Sequence, residues 1–297
     1  MRRVLAATDF STHSDRAIRR ATLIAKQFSA ELFLVNVVSQ ERSEAIVKAE
    51  RTKSAKLLQT ICHTIRSVDG LACQTIVKLG EAYQGILEAV EEVDAELTIV
   101  GPHRRQLLVD TFVGTTAERI IRFGVRPVLM ANGLPANLYR RVLLALDLSP
   151  CSTAAVRAVA QLGLDKQTNV TVVHAFSVPS DTIISRGGIT TREMDQDFTD
   201  ARERARQDLS SFLQEVGYKP AGIVLRAGSP AEAIRFSARM LEADLIVVGT
   251  HGRRGVDKLL WGSVAQEIAY VATCDVLTVP PHSANAYFGA PRLDWRE

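Results

Sequence analysis

No apolar run in the 297-residue chain approaches the roughly 20 residues that cross a bilayer, so no membrane span is expected. The start of the chain, Met1-Arg2-Arg3-Val4-Leu5-Ala6-Ala7-Thr8, reaches Asp9 before it can supply the roughly 7–15 apolar residues of a signal peptide. Cysteine is scarce. Cys62, Cys73, Cys151 and Cys274 form no C-x-x-C pair and no His/Cys cluster of zinc spacing, which predicts free, mostly buried thiols in a reduced, cytoplasmic setting and no resident metal. With 18 Gly and 10 Pro the chain is neither collagen-like nor of low complexity. An excess of one charge sign is also missing. The balance of 36 Lys+Arg against 33 Asp+Glu leaves +3, which argues against a nucleic-acid partner. The sequence contains no G-x-x-x-x-G-K-[ST], H-E-x-x-H, EF-hand loop or G-x-S-x-G, so P-loop, zincin, calcium-loop and serine-hydrolase chemistry lack their motifs.

What is present is a hydrophobic content of 46% with 23% charged residues, the balance of a globular protein, over a length about twice a typical ~150-residue domain. An internal repeat accounts for that length. Arg2-Arg3-Val4-Leu5-Ala6-Ala7-Thr8-Asp9-Phe10-Ser11 matches Arg140-Arg141-Val142-Leu143-Leu144-Ala145-Leu146-Asp147-Leu148-Ser149 at an offset of 138. Ile99-Val100-Gly101-Pro102-His103 matches Val247-Val248-Gly249-Thr250-His251 at an offset of 148, so the second copy carries ten extra residues, assigned mostly to a loop at Ser177–Ile189.

Each copy alternates short β-branched runs with amphipathic stretches, the pattern of an α/β fold with a parallel sheet and crossover helices. Strands are predicted at 3–8, 31–38, 72–78, 97–100 and 127–131, and again at 141–146, 169–175, 222–227, 245–248 and 275–279. Ala17, Ala21, Ile24 and Phe28 mark one core-facing helix, and Ala155, Val159 and Leu162 its counterpart, with Ser11 and Ser149 as starts. A long helix is predicted from the stripe Met194, Phe198, Ala201, Ala205, Leu209, Phe212 and Val216, with Arg202, Arg204, Arg206 and Asp208 off it. The expected division is residues 1–132, a linker at Asn132–Asn137, residues 138–282, and a tail at 283–297 containing Tyr287, Phe288 and Trp295.

Ligands of open α/β sheets bind beyond the carboxyl ends of the strands, which singles out Asp147 and the loop from Gly249 to Ser263. That loop has the form G-x-x-G, nine residues, then G-S. Gly249 and Gly252 allow backbone N–H groups to approach an anion. Gly262-Ser263 opens a helix through Val264, Ala265, Ile268 and Ala269, whose first N–H groups and positive dipole end face the same place. Arg253, Arg254 and Lys258 supply positive charge or stand solvated. Asp147 either accepts from a base or ribose or caps the turn. Asp257 is either a Mg²⁺ contact or a surface residue.

The G-x-x-G-x9-G-[ST] pattern, the Asp closing the first strand and the final strand Val276-Leu277-Thr278-Val279 resemble the universal stress protein family, here as a tandem pair of UspA-like domains. The resemblance covers residues 1–282. It implies two five-stranded parallel sheets of order 3-2-1-4-5 flanked by helices, an adenine nucleotide as partner with ATP, alone or with Mg²⁺, as cofactor, and pairing of the two domains through their last strands as an intramolecular pseudo-dimer. Further association into a homodimer stays open. Carried over by position, it places Ala145 and Asp147 beside adenine or ribose, Ala175 against the base, Gly249 near the ribose, and Gly252, Gly262, Ser263 and Val264 around the phosphates, with Arg253 beside them. His174 and His251 become neighbours rather than catalysts.

The first copy departs from this pattern. Asp9, Gly101, Gly114 and Thr115 are kept, but Arg104 stands at the second glycine position, where it either obstructs the cradle or contacts a phosphate itself. Pro102 removes one N–H. The expected function is adenine-nucleotide binding that regulates shape or partners by occupancy in a stress response, not fast catalysis, because no general base can be named. The competing functions are a nucleotide-independent interaction module and a slow ATP hydrolase.

Overall fold

The computed structural model describes residues 1–102, 116–178, 191–250 and 261–281. The first half contains β1 (Arg3–Ala7), α1 (Thr12–Phe28), β2 (Glu31–Val38), α2 (Glu44–Thr64) with a π-helical turn at Ile65–Asp69, β3 (Cys73–Leu79), α3 (Ala82–Glu92), β4 (Leu97–Val100), α4 (Thr116–Phe123) and β5 (Val128–Met130). The second half contains β6 (Arg141–Ala145), α5 (Pro150–Gln161), α6 (Leu164–Gln167), β7 (Asn169–Phe176), α7 (Thr191–Glu215), β8 (Gly222–Ala227), α8 (Pro230–Met240), β9 (Leu245–Gly249), α9 (Ser263–Val271) and β10 (Asp275–Val279). All ten predicted strands are present within a residue or two.

The strands form one sheet of order β3-β2-β1-β4-β5-β10-β9-β6-β7-β8. Each half is parallel with order 3-2-1-4-5, and the only antiparallel pairing among the described strands is β5 with β10, in the register Val276↔Met130, Leu277↔Leu129 and Thr278↔Val128. Strands near the centre are buried on both faces, as a parallel sheet covered by helices requires; β4 and β10 have no exposed residue. One core lies under α1, α2, α5 and α7 and runs through both halves. The opposite face holds two smaller cores, under α3 and α4 and under α8 and α9.

Local chemistry sets the helices. Ser11 caps α1, its side chain accepting from Ser14 N, and Ser29 closes it in the left-handed region at φ 50°. Ala17, Ala21 and Ile24 bury the predicted face. On α7 the stripe holds at Ala201, Ala205 and Leu209, but Phe198 is a correction: it is 43% exposed and tilts onto Phe176 at 5.8 Å. Most of Ser177–Ile189 and the whole of Ser283–Glu297 lie outside the described residues.

The thiols need a second correction. Cys62, in the last turn of α2, is disulfide-bonded to Cys73 at the start of β3, with Cα atoms 5.4 Å apart. Helix and edge strand bring the two together, which no short spacing motif announces. The bond also removes the argument from cysteine usage for a reduced compartment. Cys151 and Cys274 are not disulfide-bonded, and burial pushes the Cys274 thiol up to about 12. No described helix is long and apolar enough to cross a membrane.

The halves meet through more than β5 and β10. Asp275, fully buried at the start of β10, forms an ion pair with Arg20 of α1, Nε to Oδ2 at 2.6 Å. It also accepts from Tyr139 Oη (2.6 Å) and Gly133 N (2.8 Å). Arg20 Nη1 donates to Asn137 O and Arg16 Nη1 to Asn132 O, so α1 grips the linker at both ends. On the opposite face Tyr270 Oη of α9 donates to Glu118 Oε2 of α4 (2.8 Å).

Candidate functional site

The carboxyl ends of β6, β7 and β9 are brought together by the sheet, with Ala145 in register with Val248 on one side and Val173 on the other. The chain leaves β6 for β7 on one side and returns to β9 on the other, so this is where the strand order reverses. Ala145 and Asp147 lie at the end of β6, Ala175 at the end of β7, and Gly249 closes β9.

Asp147 turns the chain from β6 into α5. Leu148 adopts φ 62°, an uncommon left-handed conformation for a residue with a branched side chain, and Asp147 Oδ1 accepts from Ser149 N (3.1 Å) and Ser152 Oγ (2.8 Å). Ser152 Oγ in turn accepts from Asp147 N (3.0 Å). The turn-capping role left open for Asp147 is therefore present. In the first half Phe10 has φ 60° and Asp9 Oδ1 accepts from Ser11 N (3.0 Å) and Ser11 Oγ (2.5 Å).

His174 is 7% exposed, and its Nδ1 lies 2.7 Å from Leu146 O. A carbonyl only accepts, so Nδ1 carries the proton. Asn36, at the same place in the first half, donates its Nδ2 to Thr8 O (2.8 Å). Both side chains tie the end of the first strand to the second, a structural task.

Gly249 has a packing reason to be glycine. A Cβ there would lie 2.6 Å from Cys151 Cβ in the first turn of α5. At Gly101 the same addition would meet His13 O of α1 at 2.9 Å. Close approach of strand to helix, in both halves, accounts for these two glycines without reference to an anion.

Beyond Thr250, whose N donates to Val279 O, the chain comes back through Gly262 N donating to Thr250 O at 2.7 Å. This bond closes the loop at its base and sets α9 against the end of β9. Gly262 is the N-cap of α9 and no side chain caps that helix. Its first-turn N–H groups are thus those that an anion would satisfy. Ser263 and Val264 occupy that first turn, Val264 packed on the core beneath. Gly252 and Arg253, with His251, Arg254, Asp257 and Lys258, lie outside the described residues, as do Arg104, Gly114 and Thr115 of the first half.

A scan against protein-family models matches the universal stress protein family twice, over residues 1–132 and 138–280. The chain belongs to the universal stress protein family. Among the curated members, a universal stress protein of Mycolicibacterium smegmatis is 22% identical over 94% of this chain and 97% of its own length. Universal stress protein A homolog 1 of Coxiella burnetii is 34% identical over 48% of this chain and 96% of its own length, one repeat's worth. Among solved structures, a universal stress protein from Archaeoglobus fulgidus superposes with a TM-score of 0.68 at 16% identity, covering 94% of this chain and 98% of that one, a likeness of fold.

Sequence reasoning missed Ser152 of this universal stress protein and read Ser149 only as a helix start. Ser152 orders Asp147, and Ser149 is buried beside it. The signal was available in the repeat, as D-x-S-x-x-S at Asp9-Phe10-Ser11-Thr12-His13-Ser14 and at Asp147-Leu148-Ser149-Pro150-Cys151-Ser152.

Proposed function

We propose that the second half binds an adenine nucleotide, ATP in the first instance, and that the protein acts in a stress response by occupancy of this site rather than by turnover. The observation that carries the reading is the carboxyl edge of β6, β7 and β9, where α9 begins on Gly262 with no side-chain cap. A phosphate there would take hydrogen bonds from the first-turn N–H groups and be favoured by the helix dipole. In this reading Ala145, Asp147 and Ala175 meet the nucleoside, Gly249 the ribose, and Gly252, Arg253, Gly262, Ser263 and Val264 the phosphates. Asp147, already holding Ser149 N and Ser152 Oγ on one oxygen, suits orientation of a ligand better than proton transfer.

The first half, with Asp9, Gly101, Arg104, Gly114 and Thr115, is the weaker site in this reading because Arg104 replaces a glycine. The chain is divided accordingly into nucleotide-fold domains at 1–132 and 138–282, paired as an intramolecular counterpart of a dimer, with 283–297 appended.

The test is direct. Denaturing the purified protein and counting released nucleotide by chromatography and mass spectrometry, after saturation with ATP if none is retained, should give one ATP per chain. Gly262→Val should abolish binding, because its side chain fills the cradle, while circular dichroism and the melting curve stay those of a folded protein. A folded Gly262→Val protein that keeps its ATP affinity would sink the assignment of the loop.

A further inference from the structure

The repeat gives two copies of the same turn, and they are wired differently. In the first half Ser11 Oγ donates to Asp9 Oδ1 and accepts from Ser14 N, closing the cap of α1. Ser14 Oγ pairs with Thr8 Oγ1 at 2.9 Å. In the second half Leu146 stands where Thr8 does, so Ser152, the counterpart of Ser14, has no hydroxyl to meet at that position. It turns to Asp147 instead, accepting from Asp147 N and donating to Oδ1, the acceptor that Ser11 holds in the first half. Ser149, the counterpart of Ser11, is displaced: α5 has no side-chain cap, and Ser149 Oγ is shielded from solvent without a hydrogen-bond partner.

A hydroxyl in that state is unfavourable in the empty protein and is satisfied by an incoming oxygen. Ser149 is 4% exposed. It stands between Asp147, which accepts from its N, and Cys151, against which Gly249 is packed. Asp147 and Gly249 are the residues that the reading above gives to the nucleoside and the ribose.

We propose that Ser149 is a direct ligand of the nucleotide, its hydroxyl donating to an oxygen of the ribose 5′-phosphate unit. The inference rests on the nucleotide reading of the second half, and it assigns this residue a role that neither the loop motif nor the glycine spacing contains. Substitution of Thr8 by Leu146 is, on this view, what frees a serine for the ligand and marks the second half as the competent one.

Ser149→Ala in the full-length protein separates a ligand from a cap. The expected result is a melting temperature equal to or above that of the wild type, because an unpartnered hydroxyl has been removed, together with a 5- to 20-fold weaker affinity for ATP by calorimetric titration, the loss of about one hydrogen bond to a charged acceptor. Ser11→Ala, measured in parallel, should lower the melting temperature, because there the hydroxyl is a working cap. Titrations with AMP and adenosine locate the contact. A loss for AMP and none for adenosine places it on a phosphate oxygen, and an equal loss for adenosine places it on a ribose hydroxyl. Unchanged ATP affinity in Ser149→Ala overturns the assignment of Ser149 and leaves the site. A wild-type protein that binds none of the three overturns the site itself and the ligand role with it. A melting temperature lowered as far as in Ser11→Ala, with ATP affinity intact, returns Ser149 to the role of a cap.

Discussion

Cys62 and Cys73 close a loop of eleven residues between a helix end and the edge strand of the sheet. For a loop of that size the chain-entropy account gives a stabilisation of about 2–3 kcal/mol. Cys62→Ser should therefore lower the melting temperature by several degrees, and alkylation of the denatured, unreduced protein should label two cysteines by mass, rising to four after reduction. Four labelled without reductant would show that the bond does not form in the purified protein. Four cysteines admit three full pairings and six single ones, and nothing in their spacing selects 62 with 73, so this link was beyond sequence reasoning. Asp147 was within it. The residue was picked out from its place at the end of a strand, and its alternative as a turn acceptor was posed from the same local sequence. What could not be read was the competition for its oxygen between Ser149 and Ser152, because that turns on Leu146 three positions before α5's cap, across a turn whose geometry depends on Leu148 adopting a left-handed φ.

Strands were the most legible elements. Runs such as Leu97-Thr98-Ile99-Val100 are buried on both faces and bounded by Glu96 on one side and Gly101-Pro102 on the other, so their limits follow from composition alone. Helix starts at Ser11 and Ser149 were legible for the capping reason, although only the first is closed by its own side chain. The contact between β9 and α5 was not. Gly249 looked like a residue kept small for a ligand, whereas the neighbour that forbids a side chain is Cys151 Cβ, 2.6 Å from where a Cβ would be. Gly249→Ala should accordingly cost about 1–3 kcal/mol by overpacking, read from chemical denaturation of the nucleotide-free protein. Cys151→Gly in the same chain should recover part of the loss. A fully stable Gly249→Ala single mutant would show that β9 and α5 can part at no cost.

At the scale of the whole molecule the junction is the largest feature that the sequence left unspecified. The repeat predicted two units, and the family resemblance implied that they pair or abut through their last strands, but neither pointed to a continuous ten-stranded sheet with β5 and β10 antiparallel. Nor did it point to Asp275, Arg20 and Tyr139, which come from three distant places in the chain. Burial raises the Asp275 carboxyl above the ordinary range, opposed by Arg20 and by the bonds from Tyr139 and Gly133. Removing one partner of such a pair leaves the other charge buried without compensation, which typically costs about 3–5 kcal/mol. Asp275→Ala should show a loss of that size, with faster amide exchange concentrated in β5, β10 and residues 132–139. Exchange that rises evenly over both halves would place the strut outside the junction's stability.

This strut has no mirror image. The residue matching Asp275 in the first half is Pro127, and the one matching Arg20 in the second is Ala158. Two first halves placed edge to edge would bury guanidinium groups with no acid to meet, and two second halves would bury carboxylates with no base. The two repeats are thereby no longer interchangeable: each is complementary to the other and incompatible with its own duplicate, so the choice of unlike over like pairing is written into this buried charge pair.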